Sequence, residues 1–121
     1  MLSEAAMKMA MQAYFDNFNA GDVEAVVALF AADATVEDPV GSPVHTGAEA
    51  IRAAFAGVLK QRPQLTLSAP MRGSHGNAAA MALEAKLGDL TIRAIDVLTF
   101  DAAGKISSLR AYFGPEDVIK D

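Results

Sequence analysis

The chain has 121 residues, 52% of them hydrophobic and 21% charged, with a net charge of −5 at pH 7; such a balance excludes a disordered chain. The acidic charge, with no basic cluster, argues against nucleic acid or an anionic membrane as a partner. The absence of cysteine excludes a disulfide framework, a thiol nucleophile and thiolate zinc, and two histidines, His45 and His75, are too few for a histidine-rich metal site.

No apolar run approaches the ~20 residues of a membrane span. The first 19 residues mix polar and apolar side chains, unlike the core of a signal peptide. The expectation is one cytoplasmic domain over 1–121, with a radius of gyration of roughly 14 Å. The first helix is predicted over 3–19, because Met7, Ala10, Met11, Tyr14, Phe15 and Phe18 recur at helical spacing. Ser3 is its N-cap and Gly21 its stop. A second helix opens at Asp22 and buries Val23, Val26, Val27 and Phe30. An extended piece over 35–40 leads into the Gly41-Ser42-Pro43 turn. Thr46 with Glu49 three residues on predicts a capping box for a third helix, whose apolar face is Ile51, Ala54, Phe55, Val58 and Leu59.

After Pro63 the period changes to two. Strands are predicted over 64–72, 78–87, 90–100 and 105–113, with turns at Gly88-Asp89 and Asp101 to Gly104. Helices first and strands after is the α+β order. The predicted architecture is cone-shaped: a curved antiparallel sheet wrapped on three N-terminal helices around an apolar pocket.

Most of the fifteen acids have structural explanations. Glu4, Asp22, Glu24 and Glu49 favour helix N-termini; Asp33 is placed in a polar corner after the second helix; Asp89 and Asp101 belong to turns; Glu84 and Lys86 form an exposed pair on one strand face. Asp96 is an anomaly. It shares a strand face with Leu90, Ile92, Ala94, Leu98 and Phe100, because side chains alternate. A lone carboxyl there is either neutral, and so a hydrogen-bond donor, or paired with backbone, Arg93 or Arg110, or else the strand turns its other face inward. Asp38 shares a face with Val36 and Val40 and is held extended by Pro39. It is either a base in an apolar mouth or the start of an Asp-Pro turn. Tyr14 lies mid-stripe and needs a partner for its hydroxyl, as a core tyrosine or as a donor to a ligand. His45 and His75 fall in turns without a carboxylate at triad spacing and are read as loop residues.

The segments Asn19-Ala20-Gly21-Asp22, Val27-Ala28-Leu29-Phe30-Ala31, Asp33-Ala34-Thr35-Val36-Glu37-Asp38-Pro39-Val40-Gly41-Ser42, Ala94-Ile95-Asp96-Val97 and Arg110-Ala111-Tyr112-Phe113-Gly114 resemble the bacterial Δ5-3-ketosteroid isomerases. The likeness covers nearly the whole chain. It implies isomerisation of 3-oxo-Δ5-steroids to 3-oxo-Δ4-steroids through a dienolate, with no cofactor and no metal. It assigns Asp38 as the general base and Tyr14 and Asp96 as the oxyanion hole, Asp96 being a carboxylic acid kept neutral to donate, a device for which ketosteroid isomerases are the known case. With strand parity it implies pocket walls of Phe55, Phe100, Phe113, Val40, Met81, Leu83, Leu98 and Leu109. It also implies a homodimer packed through Thr91, Arg93, Ile95, Val97 and Thr99. Two departures stand out: Phe30 and Phe55 replace tyrosines that some members place around the oxyanion tyrosine, and the Gly88-Asp89 hairpin is shorter. The competing readings are another enzyme on the same cone, such as a polyketide cyclase or epoxide hydrolase relative, and a catalytically silent steroid- or lipid-binding module.

Overall fold

The computed structural model describes residues 2–121. Helix α1 spans Glu4–Ala20. The Ser3 hydroxyl accepts from the Ala6 N–H at 3.1 Å, satisfying one of the unpaired donors of the first turn. Gly21, left-handed at φ 71°, ends the helix: its N–H reaches Phe18 O and the Asp22 N–H reaches Asn17 O, a Schellman closure. The buried stripe is Met7, Met11, Tyr14 and Phe18. Helix α2, Val23–Val27, is capped by Asp22. It stops before Phe30 because the chain there is captured by a strand: the Ile106 N–H bonds to Leu29 O, and Phe30 pairs with Ile106. Phe30 is thus the first residue of β1, Phe30–Glu37, and Asp33 is an exposed strand residue rather than a helix corner.

Strand β2, His45–Thr46, pairs with β1. This displaces the expected capping box. Thr46 is engaged opposite Thr35, the Gly47 N–H bonds to Ala34 O, and α3, Ala48–Leu59, begins after Gly47 with no side-chain cap. Its buried residues are Ile51, Phe55 and Leu59, one helical stripe.

Strands β3 (Gln64–Leu67), β4 (Ala78–Leu87), β5 (Leu90–Phe100), β6 (Ile106–Tyr112) and β7 (Val118–Lys120) complete the sheet. The order is β2-β1-β6-β5-β4-β3. All pairs are antiparallel except β1 with β6, which is parallel. β3 ends at Leu67, short of the expected 72. Pro70 has no N–H to offer the ladder, and only the Arg72–Ala80 bridge resumes it. β5 is held by β4 along its length, while its other edge is divided between β6 and, over Leu90–Ile92, β7. Glu84 sits opposite Arg93 and pairs with it, whereas Lys86 pairs with Asp121. Cross-strand neighbours approach more closely than residues two apart on one strand.

The concave face of the sheet and the three helices share one core, which includes Met7, Met11, Phe30, Ile51, Met81, Leu98, Phe100, Ile106 and Leu109. The architecture is the expected α+β cone. Among the described residues no helix is long and apolar enough to cross a membrane.

Asn19, at the end of α1, ties the helices to the sheet edge. Its side chain donates to Leu65 O at 3.0 Å and accepts from the Leu65 N–H at 2.7 Å. Asn19→Ala leaves both half-buried backbone groups of Leu65 without that partner. We expect about 1–3 kcal/mol of destabilisation, read as a lower urea midpoint.

Candidate active site

Three elements converge on one cavity of about 260 Å³. Helix α1 contributes Tyr14, 2% exposed, and β5 contributes Asp96, 6% exposed. Asp38 follows directly on β1 and stands exposed at the opening. The walls between them are apolar: Phe18, Val36, Phe55, Leu65, Leu83, Ala94, Ala111 and Phe113. Val58 and Gln61, both exposed, mark the rim. The volume lies just under the ~300–1,000 Å³ typical of small-molecule pockets, and the cavity opens to solvent.

Tyr14 is set by aromatic packing. Its ring meets Phe55 edge-on at 6.0 Å, Phe30 edge-on at 6.4 Å and Phe18 tilted at 5.8 Å. Such contacts fix the phenol without occupying its hydroxyl. Neither Tyr14 nor Asp96 makes a side-chain hydrogen bond to another described protein group. Arg93 is engaged with Glu84 and Arg110 with Glu37, so Asp96 has neither arginine as partner. No buried side-chain oxygen or nitrogen among the described residues is stranded without a partner. The oxygens of Tyr14 and Asp96 therefore open onto the cavity.

Burial, reinforced by the negative charge of Asp38, pushes the Asp96 carboxyl up to about 8. Burial first, then the two carboxylates, raises the Tyr14 phenol well above its ordinary value. Burial also raises Asp38, and the positive charge of His45 opposes it. Asp38 is both exposed to solvent and desolvated in part, because the solvent it meets is at the cavity mouth while protein crowds its other sides. Glu37, next to it, turns away. Gly41 N–H and Arg110 hold its carboxylate below the usual range.

At neutral pH the cavity therefore presents two uncharged donors, Tyr14 and Asp96, and one carboxylate, Asp38. Two fixed donors can stabilise a negative oxygen that forms beside them, while the carboxylate takes a proton from a neighbouring carbon.

Of the expected walls, Phe55, Leu83 and Phe113 line the cavity. Phe100, Met81, Leu98 and Leu109 do not: each is at most 1% exposed and packed in the core. They belong to the buried core that the sheet and helices share, deeper than the cavity. The cavity is lined by Leu83, Ala85 and Leu87 of β4 and by Ile92, Ala94 and Asp96 of β5, whereas the strand ends beyond Asp96 press against the helices. Val40 also lies off the cavity; its N–H bonds to Ala111 O and it bridges to Ser42. His45 and Gln61 line the cavity but were not singled out from the sequence. His45 reads as a loop residue until β2 pairs with β1, and Gln61 follows a helix end with no pattern of its own.

A SnoaL-like domain model matches residues 11–109, and the chain belongs to this family. A steroid Δ-isomerase from Nocardioides simplex is 38% identical over 118 residues, covering 95% of each chain. The epoxide hydrolase LasB from Streptomyces lasalocidi is 29% identical over 83% of this chain but 44% of its own. The solved structure of SalBIII, an epoxide hydrolase/cyclase-like enzyme of pyran ring formation in salinomycin, superposes with a TM-score of 0.93 at 32% identity, over the whole of both chains.

The raised Asp96 carboxyl has a consequence for stability. Between about pH 5 and about pH 8 the unfolded chain has lost this proton while the folded chain keeps it, so stability falls as pH rises and levels off above about 8. Asp38 adds to the decline in the same sense. We expect stability to fall across this window by an amount on the order of a few kcal/mol, read as a lower urea midpoint, and Asp96→Asn to flatten most of the slope. A midpoint independent of pH would mean that Asp96 is ionised in the folded chain.

Proposed function

We propose that this member of the SnoaL-like domain family isomerises 3-oxo-Δ5-steroids to their conjugated Δ4 isomers. The observation that carries the reading is the arrangement in one apolar cavity of a carboxylate and two protonated donors, with no side-chain hydrogen bond from either donor to another described residue. The 38% identity to a steroid Δ-isomerase supports it.

The substrate carbonyl oxygen sits against Tyr14 and Asp96, with the fused rings along the apolar walls. Asp38 removes a proton from carbon 4, next to the carbonyl. The electrons of that C–H bond move into the ring and leave negative charge on the oxygen, giving a dienolate. Tyr14 and Asp96 donate hydrogen bonds to that oxygen, and fixed donors in a dry site stabilise charge as it develops. Asp38, now protonated, returns the proton at carbon 6, and the double bond comes into conjugation. Protons and electrons balance without a cofactor. A charged Asp96 would repel the dienolate, so the burial that keeps it neutral serves the chemistry directly. Tyr14 acts alone among phenylalanines, since Phe30 and Phe55 carry no hydroxyl to support it.

A second reading draws on the likeness to SalBIII and LasB. A protonated Asp96 could donate to an epoxide oxygen while Asp38 takes a proton from the attacking hydroxyl. Its substrate would be a hydroxy-epoxide. The two readings separate on mixing the protein with 5-androstene-3,17-dione, where only the isomerase produces the ultraviolet absorbance of a conjugated enone. No absorbance growth, with turnover of a hydroxy-epoxide, would replace the first reading by the second.

Asp38→Asn is expected to remove nearly all turnover while steroid binding persists. Tyr14→Phe and Asp96→Ala should each cost on the order of 10²–10³ in kcat. The pH profile of kcat/KM should fall on the acid side as Asp38 is protonated and on the basic side as Asp96 ionises near about 8. A profile flat through pH 8 and beyond would remove the neutral acid from the mechanism.

The outer sheet face is the proposed homodimer surface. Ile95 and Tyr112 are register neighbours on β5 and β6, 50% and 43% exposed, and the Arg110 guanidinium lies 5.6 Å from the Tyr112 ring centre. Ile95→Asp should convert a dimer into a monomer in sedimentation, and a monomeric parent would exclude the assembly.

A further inference from the structure

Five polar or ionisable side chains line the cavity: Tyr14, Asp38, His45, Gln61 and Asp96. The proposed isomerisation uses three. Of the other two, His45 alone among the described cavity-lining residues can be positive. Strand pairing delivers it there. Residue 45 of β2 lies opposite Val36 of β1, which itself lines the cavity two residues before Asp38. His45 is half-buried, and its ring makes no hydrogen bond to a described protein group. Histidine ordinarily gains its charge just below neutrality.

We propose that His45 is a positioning residue for Asp38, its protonated imidazole holding the neighbouring side chain as a carboxylate facing the cavity when the solution is acidic. The assignment rests on reading Asp38 as the base. Apolar walls work against a charged Asp38, and an apolar substrate filling the mouth removes more of its water. An imidazolium beside it opposes both effects.

The other charged groups on neighbouring elements are engaged or remote. On β1, Glu37 is bound by Arg110 of β6 and by Gly41 N–H, and Asp33 is exposed. On α3, Arg52 is paired with Glu24 and Glu49 is exposed. Lys60 opens on a separate surface depression with Arg62 and Gly21. Within the cavity, Tyr14 and Asp96 are uncharged at acidic pH.

The test compares kcat/KM for 5-androstene-3,17-dione across the acid limb in the parent, His45→Gln and His45→Lys. The deficit of His45→Gln relative to the parent should widen as the pH falls, by about threefold between about pH 7.5 and about pH 5. His45→Lys, permanently charged, should restore or extend the acid limb. A uniform loss at every pH, or no change at any, overturns the proposal. A carbon-13 titration of the Asp38 carboxyl in the ligand-free protein reads the same pairing without turnover: its midpoint should move to higher pH in His45→Gln, and an unmoved midpoint overturns the pairing. Absence of isomerase activity in the parent would sink the functional reading and still leave this titration to decide the proposal.

Discussion

The site depends on one constraint: a carboxyl group on the apolar face of a strand cannot easily be charged. Asp96 stands in the row of Ile92, Ala94, Leu98 and Phe100, is 6% exposed and has no arginine within pairing reach. Ionisation there would cost several kcal/mol of lost hydration. The fold avoids that cost by leaving the proton in place, and this turns an acid into a hydrogen-bond donor. The negative charge of Asp38 strengthens the effect, because two carboxylates sharing a cavity resist being ionised together.

The scaffold holds the three groups from separate directions. Tyr14 stands on a capped helix among phenylalanine rings, Asp96 on a strand hydrogen-bonded on both edges, and Asp38 at the end of β1. The cavity between them is where the curved sheet and the helices fail to meet. Residues with shorter reach, Ala94 and Ala111, line it beside Asp96, whereas bulky Leu98, Phe100 and Leu109 close the core beyond.

Local periodicity made much of this legible. The spacing of Met7, Met11, Tyr14 and Phe18 defined both a helix and its buried side, and alternation along 90–100 placed Asp96 on the inner face. What periodicity cannot supply is position along the third dimension. Met81 and Leu83 share a face, yet only Leu83 lines the cavity, because sheet curvature and helix contact set depth. Phe30 continues the helical pattern of Val26 and Val27, but the parallel pairing with Ile106, 76 positions on, claimed its backbone. Thr46 carried a sound capping signal and lost it to a two-residue strand. His45 was illegible for the same reason: its place at the cavity is created by a pairing too short to leave a sequence period.

The rings around Tyr14 set how the site handles charge. Phe18, Phe30 and Phe55 pack around the phenol and offer no hydroxyl through which its hydrogen bond could be passed on. A chain of phenols shares an anion across several oxygens, whereas a solitary phenol in a hydrocarbon sleeve concentrates it on one contact. Were this tyrosine to draw electron density from a ligand, no second phenol stands behind it to take a share, and the other donor in the cavity is Asp96. On the proposed reading, the balance between the two donors is then tilted toward the acid, by neighbouring rings that carry no polar atom of their own.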